Sequence, residues 1–338
     1  MSSKDAARLG SALAAIGLIA VAAGCMPLKS PPPAPPTSQP APIPDTVAPG
    51  APSTPDLVDA SDSGDSDVDD LTNDATPTFI GTAPAGTTVR LFAGATQVGS
   101  GPAIGGTYSI TSAVLSDGVH TVTATATDAA GNTSAASAGL DVTIDTTAPL
   151  PPAVPDLVDD TGESSFDDIT NALSPTFELS AEPGSLVRLF DDVGLIGSVT
   201  MAGAIDFITT SQQSLGFAAI SATATDAAGN ASHTSGTLLV HFDYVAPVDL
   251  IGFPSEGQAI PSPLVVSGSD GENGRPVRVT ITTALDGAVV FSEVVLPSGG
   301  VWSTDEANLA SGGYFVEAVQ TDLAGNTGTD VHTFTVSG

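Results

Sequence analysis

The chain has 338 residues, with 7 Lys+Arg against 38 Asp+Glu and a formal net charge of −31. A surface this negative argues against nucleic acid, whose phosphates need Lys and Arg, and favours solubility and the binding of cations. A single Cys rules out an intramolecular disulfide, and the length has room for two or three domains. At the N-terminus, Lys4 and Arg8 precede Leu9–Gly24, a 16-residue apolar run broken by one Ser. The run is short for a membrane span and has the make-up of a signal peptide, expected over residues 1–24.

The run ends in Ala22-Ala23-Gly24-Cys25, and Cys25 is the only cysteine. This boundary resembles the lipobox of bacterial lipoproteins. The resemblance implies cleavage before Cys25, lipid on its thiol, and an exported protein held to the cell envelope. Met26 is similar to the outer-membrane sorting pattern. The next stretch, within residues 25–50, reads SPPPAPPTSQPAPIP. Proline fixes φ and lacks the N–H, so a tether of extended polyproline is expected, at ~3 Å per residue.

The remainder is repetitive. ATATDAAGN at Ala124–Asn132 returns at Ala222–Asn230, and TDLAGN at Thr321–Asn326 is a looser copy. DDLTNDATPTF (Asp69–Phe79) answers DDITNALSPTF (Asp167–Phe177), and TVRLF, LVRLF and PVRVT repeat in the same register. DTVAP, DTTAP and DYVAP stand ahead of the three units. The units are expected at 51–149, 150–247 and 248–338, the last divergent. In the first, strands are expected at 77–83, 87–94, 96–101, 107–115, 120–128 and 139–145, separated by Gly, Asp, Asn and Ser. Alternation places Val122, Ala124 and Ala126 inside, with Ile220, Ala222 and Ala224 and then Val316 and Ala318 in the later units. Thr123, Thr223 and Glu317 should face outward. Short strands with frequent turns and no helical period define an all-β sandwich.

PTFxGTA, VRLF, SDGVHTVTATATDAAGN and VTIDTTAP together resemble the bacterial Ig-like repeats of large surface proteins and adhesins. The fold class expected is therefore all-β: three tandem Ig-like β-sandwich domains after a signal peptide and a Pro-rich linker. The resemblance also implies calcium at the junctions between domains.

Few residues invite catalytic readings. G-x-S-x-G, H-E-x-x-H and P-loop patterns are absent, and the only lysines are Lys4 and Lys29, which removes Lys–Asn isopeptide bonds from the repeats. Tyr108 and Trp302 are expected as core aromatics, with a sugar platform as the alternative. His120 and Tyr314 fall where such sandwiches place a tyrosine-corner bond. His233, His241 and His332 lack metal-ligand spacing. Arg90, Arg188 and Arg278, repeated at one strand position, suggest an ion pair with a nearby carboxylate.

The acidic openings carry the remaining chemistry. Residues 59–74 hold seven aspartates, unit two has DDTGESSFDDITN at 159–171, and FPSEGQAIPSP in unit three has lost them. Hard carboxylate oxygens suit calcium, although the spacing is not an EF-hand. The loop after the first strand should lie at a domain's exit, opposite the Asp-x-x-Gly-Asn turn. Candidate calcium ligands are thus Asp62, Asp69, Asp145 and Asp226 at the first junction, and Asp160, Asp167, Asp243 and Asp322 at the second. The alternative is Asx turn-capping by the same aspartates.

These readings describe a non-enzymatic, lipid-anchored surface protein acting in adhesion or as a calcium-stiffened spacer. Its partners are the membrane, reached through the lipid, and an unknown surface protein or glycan. The alternative is an envelope-assembly or carbohydrate-binding module recruiting a polysaccharide, which would use exposed Trp302, Tyr108 and Tyr244.

Overall fold

The computed structural model describes residues 30, 43–248, 250–269, 272 and 274–337. Cys25, the signal segment and most of the proline tether lie outside the described residues. The chain divides into Met1–Pro44 and a compact unit, Asp45–Gly338. Among the described residues no helix is long and apolar enough to cross a membrane.

Among the described residues the compact unit has strands and no helix, arranged as three consecutive two-sheet sandwiches. In the first, β1 (Asp56–Leu57), β3 (Thr78–Thr82) and β6 (Thr107–Thr111) form the smaller sheet, in the order β1-β3-β6. The larger sheet joins β2 (Leu71–Thr72), β4 (Thr88–Ala93), β5 (Thr96–Pro102), β7 (Gly118–Thr127) and β8 (Leu140–Ile144), in the order β2-β8-β7-β4-β5. The second sandwich repeats this. Its smaller sheet is β9 (Asp156–Leu157), β11 (Thr176–Ser180) and β14 (Ile205–Thr209). Its larger sheet is β10 (Ile169–Thr170), β12 (Leu186–Phe190), β13 (Leu195–Thr200), β15 (Gly216–Thr225) and β16 (Leu238–Phe242), ordered β10-β16-β15-β12-β13.

The third keeps the five-stranded sheet, with β17 (Gln258–Pro261), β19 (Val277–Thr283), β20 (Val289–Val295), β22 (Gly312–Thr321) and β23 (Thr327–Ser337) ordered β17-β23-β22-β19-β20. Its smaller sheet shrinks to β18 (Ser267–Ser269) and β21 (Val301–Ser303). In every sandwich the first strand of the larger sheet runs parallel to the last, and all other pairs are antiparallel.

Each sandwich has its own core. Val122, Ala124 and Ala126 are fully buried, as are Ile220, Ala222 and Ala224, and Val316 and Ala318. Thr123 and Thr223 are half-buried on the other side, and Glu317 is exposed. The repeated Thr-Ala alternation therefore sets the register of the central strand in all three. Tyr314 Oη donates to Ala310 O at 2.8 Å, closing a tyrosine corner. His120 Nε2 bonds Ser116 O at 2.7 Å over the same four-residue span, so the imidazole takes the tyrosine's place in the first sandwich.

Two expectations need correction, and two strands were not expected. The two-residue strands β1 and β2 were not legible, because they sit among prolines and aspartates. The expected strand at 107–115 ends at Thr111, after which Ser112 N turns to Pro77 O. Among the described residues the strand arginines form no ion pair with a carboxylate: Arg90 donates to Thr127 Oγ1 at 2.6 Å and Arg188 to Thr225 Oγ1 at 3.2 Å. The register explains this, since Arg90 lies beside Thr125 and Arg188 beside Thr223, one step of the same face away.

Candidate functional site

The Asp-x-x-Gly-Asn turn builds itself the same way three times. In Asp128–Asn132, Oδ1 of the aspartate accepts the Asn132 N–H at 2.8 Å and Oδ2 accepts Nδ2 at 2.9 Å. Asp226–Asn230 and Asp322–Asn326 repeat both bonds. The second amide hydrogen of the asparagine is left to reach the preceding linker. Asn132 donates to Asp45 O, Asn230 to Asp145 O at 2.8 Å and Asn326 to Asp243 O at 2.7 Å. The linker phrase D-x-x-A-P and the turn are thus two halves of one device at the N-terminal end of each sandwich.

The acidic loop of the preceding sandwich closes over this device. Ser63 Oγ donates to Ala228 O at 2.7 Å, and Thr161 Oγ1 to Ala324 O at 2.6 Å. The backbones touch. A Cβ on Gly64 would lie 2.0 Å from Ala227 O, and one on Gly162 would lie 1.9 Å from Leu323 O. Both glycines also have left-handed φ, +100° and +95°. The effect of a neighbour shows in one comparison. Ala228 and Ala324 are buried, whereas Ala130, in the same turn of the first sandwich, is exposed. The junction, and not the turn itself, covers the alanine.

The candidate carboxylates fall into two sets at each junction. Asp62 is 7% exposed; burial, and then the charge of Asp69, pushes its carboxyl up against the Asp70 N–H bond that favours the anion. Asp160 Oδ2 accepts the N–H groups of Asp167 and Asp168, and burial likewise raises its carboxyl. In both cases the other oxygen, Oδ1, is buried with no hydrogen-bond partner. Asp70 and Asp168 hold φ of 58° and 57°, a conformation Asp tolerates better than most side chains, and desolvation raises both carboxyls. Asp69 and Asp167 are capping residues, accepting the N–H of Leu71 and Ile169.

The second set comes from the linker and the turn. Asp243, Glu272 and Asp322 bring one carboxylate oxygen each to within 4.8 Å of one another, and Asp322 is fully buried. Burial, then the charges of Asp322 and Asp243, raises the Glu272 carboxyl, while Arg275 opposes this. At the first junction Asp145, Asp226 and Glu182 line one cavity of about 210 Å³. Asp145 and Asp243 also cap their own linkers, accepting the N–H of Thr147 and Val245.

Sequence reasoning missed Glu182 and Glu272, although a signal was present. Each stands six residues before the strand arginine, Arg188 or Arg278. The same place in the first unit is Pro84. It also passed over Arg275, whose guanidinium donates to Glu163 Oε2 at 2.8 Å and to Asp322 O at 3.0 Å across the second junction. Ser185 occupies that position at the first junction.

The aromatic candidates are placed inside. Tyr108 and Trp302 are 3% and 5% exposed, and burial pushes the Tyr108 phenol up to about 12. Each ring lies over a glycine, Gly81 or Gly268, on the neighbouring strand. Tyr244 is half-buried. Phe217, which sequence reasoning did not single out, is exposed and stacked on His241 with centroids 4.2 Å apart.

A family model described as bacterial Ig-like domain matches residues 47–146 and 148–243, more than half of the chain. The protein belongs to that family. Its third Ig-like domain lies outside both matches but shares the strand order of the larger sheet. No curated protein matches the sequence. Among solved structures, the chain is similar to a tetra-tandem repeat in the extending region of a large adhesion protein, with 22% identity. That match covers 85% of this chain and 74% of the other, with a TM-score of 0.30. It is also similar to the fibronectin(III)-like modules of Clostridium thermocellum CbhA, with 18% identity, 54% and 94% covered, and a TM-score of 0.30. A third similarity is to Bacteroides ovatus SGBP-B, solved with a mixed-linkage heptasaccharide, at 18% identity, 79% and 64% covered, and a TM-score of 0.19.

Proposed function

We propose that the protein is a non-enzymatic surface spacer or adhesin whose Ig-like domains are held in fixed relation by divalent cations at their junctions. The observation that carries this reading is the trio Asp243, Glu272 and Asp322, each with a carboxylate oxygen within 4.8 Å of the others where the second domain passes into the third. The corresponding Asp145, Glu182 and Asp226 line one cavity where the first domain passes into the second. Burial first, and the charges of neighbouring carboxylates after it, raise the carboxyls of Asp62, Asp160 and Glu272, and a bound cation would favour their ionised forms.

The donors fit calcium. It takes 6–8 oxygens at about 2.3–2.6 Å, so two ligands of one ion stand up to ~5 Å apart. The trio of Asp243, Glu272 and Asp322 meets that spacing. Its counterpart is Asp145, Glu182 and Asp226, and the unpartnered Oδ1 atoms of Asp62 and Asp160 offer a second pair of sites with Asp69 and Asp167 in the same loops. Thermal unfolding in calcium and then in chelator tests this. A rise in Tm with calcium that is lost in Glu182→Gln/Glu272→Gln supports the trio, and an unchanged Tm leaves only Asx capping.

Export and a lipid on Cys25 complete the reading, with the proline tether as the stalk. Mass spectrometry of the mature N-terminus should show cleavage before Cys25 and a lipidated cysteine; an unmodified Cys25 or a different cut removes the anchor. The polysaccharide-recruiting alternative loses Tyr108 and Trp302 as a platform because both are buried, and it would have to use Phe217 and His241.

A further inference from the structure

The turn that carries Glu272 is built differently from its two counterparts. In the first two domains a hydroxyl closes it: Thr87 Oγ1 donates to Pro84 O at 2.8 Å, and Ser185 Oγ to Glu182 O at 2.7 Å. In the third domain Arg275 stands at that position and has no hydroxyl to give. Its backbone N–H still reaches Glu272 O at 3.1 Å, but the side-chain bond comes from elsewhere. Gln320, only 1% exposed, takes the core position that Ala126 and Ala224 hold on the central strands. Its Nε2 donates to Glu272 O at 3.3 Å and to Arg275 O at 3.1 Å, and its Oε1 accepts the Glu272 N–H at 3.0 Å. The glutamine and the arginine are therefore one exchange. Gln320 clamps the turn from inside, and position 275 is released to carry a charge.

That charge spans the second junction. Nη1 donates to Glu163 Oε2 of the second domain at 2.8 Å, and Nη2 donates to the main chain of Asp322, a member of the trio with Asp243 and Glu272. The arginine side chain is 12% exposed and that of Glu163 is 69% exposed, so a nearly buried cation meets an anion in solvent. Its Nε is buried with no acceptor, and its charge acts on Glu272, lowering a carboxyl that burial and then Asp322 raise. We infer that Arg275 is a resident cation of the second junction, held in place by Gln320, and that it keeps the second and third domains together when no divalent ion is present. The first junction has the matching acid, with Asp65 at the place of Glu163, but Ser185 and Ala224 at the places of the exchanged pair. Neither supplies a charge, so that junction depends on a cation from solution. For the first junction the inference rests on the cation reading above; for the second it stands without it.

Distances between spin labels in the full chain test it, by double electron–electron resonance in a Cys25→Ser background. Ile104→Cys/Val193→Cys reports the first junction and Val193→Cys/Leu285→Cys the second, and all three native side chains are exposed. In chelator the first distribution should broaden while the second stays narrow. Glu163→Gln removes the acid from an exposed side chain and leaves the third domain intact, and it should widen the second distribution in chelator. Loss of one partly exposed pair changes an equilibrium by up to about fivefold, which sets the growth expected in the open population. Arg275→Ser should act in the same direction. Conversely, Ser185→Arg/Ala224→Gln should narrow the first distribution in chelator by giving Asp65 a partner. A second distribution that is already as broad as the first in chelator, or that is unchanged by both Glu163→Gln and Arg275→Ser, overturns the inference. A first distribution indifferent to calcium rejects the cation reading alone, and the latch stands if Glu163→Gln still opens the second junction.

Discussion

At the scale of single residues, the junction glycines decide whether two domains can meet. Gly162 combines left-handed φ with a close approach to Leu323 O, whereas Gly184 has a similar φ of +87° and open space around it. Gly184→Val should therefore cost only backbone strain, ~1–3 kcal/mol. Gly162→Val adds a clash with the backbone of the next domain and should uncouple the second and third domains. Differential scanning calorimetry checks this: the Gly162 variant should split or broaden the transition, and the Gly184 variant should only shift it. The asparagines matter for the reciprocal reason, because each spends one amide hydrogen on its own turn and the other on the linker. Arg275 sets the two junctions apart, supplying at the second a fixed cation that Ser185 cannot supply at the first.

At the scale of elements, the acidic loops are held against their own electrostatics. The carboxyls of Asp62, Asp70, Asp160, Asp168 and Glu272 are all raised, chiefly by desolvation. A raised carboxyl binds its proton more tightly in the folded state, so these groups withdraw stability above their folded pKa and return it as the pH falls toward ~4. Asp117 and Asp128 are lowered by side-chain hydrogen bonds from Thr146 and Asn132, and their stabilisation is lost only at more acidic pH. In chelator, Tm should thus rise from pH 7 to a mildly acidic maximum before falling, and calcium should flatten the rise. A Tm that falls steadily from neutrality would contradict the strain assigned to the loops.

The central strands and turns were legible because alternation and turn chemistry act locally: Val122, Ala124 and Ala126 are buried as their spacing requires. Strands β1 and β2 were not, since two residues carry no period and their pairing is imposed by distant partners, Asp56 with Ile80 and Leu71 with Thr143. The site was half legible for the same reason. Repetition exposed the aspartates of linker, turn and loop, but Glu182 and Glu272 join them only through the fold.

At the scale of the molecule, each junction is assembled from three separated stretches, and the arrangement repeats along the chain. Inter-domain motion is the default where interfaces are small and polar, and direct contacts here amount to a few side-chain bonds and one glycine-to-backbone approach per junction. A cation bound by both neighbours would change that balance most at the first junction, which has no arginine. The most direct measurement is small-angle X-ray scattering on residues 45–338, first with calcium and then with chelator. The account predicts a single, narrow distribution of interatomic distances in calcium, and a shorter and broader one in chelator as the first junction bends. An identical maximum dimension in both conditions, together with no calcium-dependent change in unfolding, would contradict it.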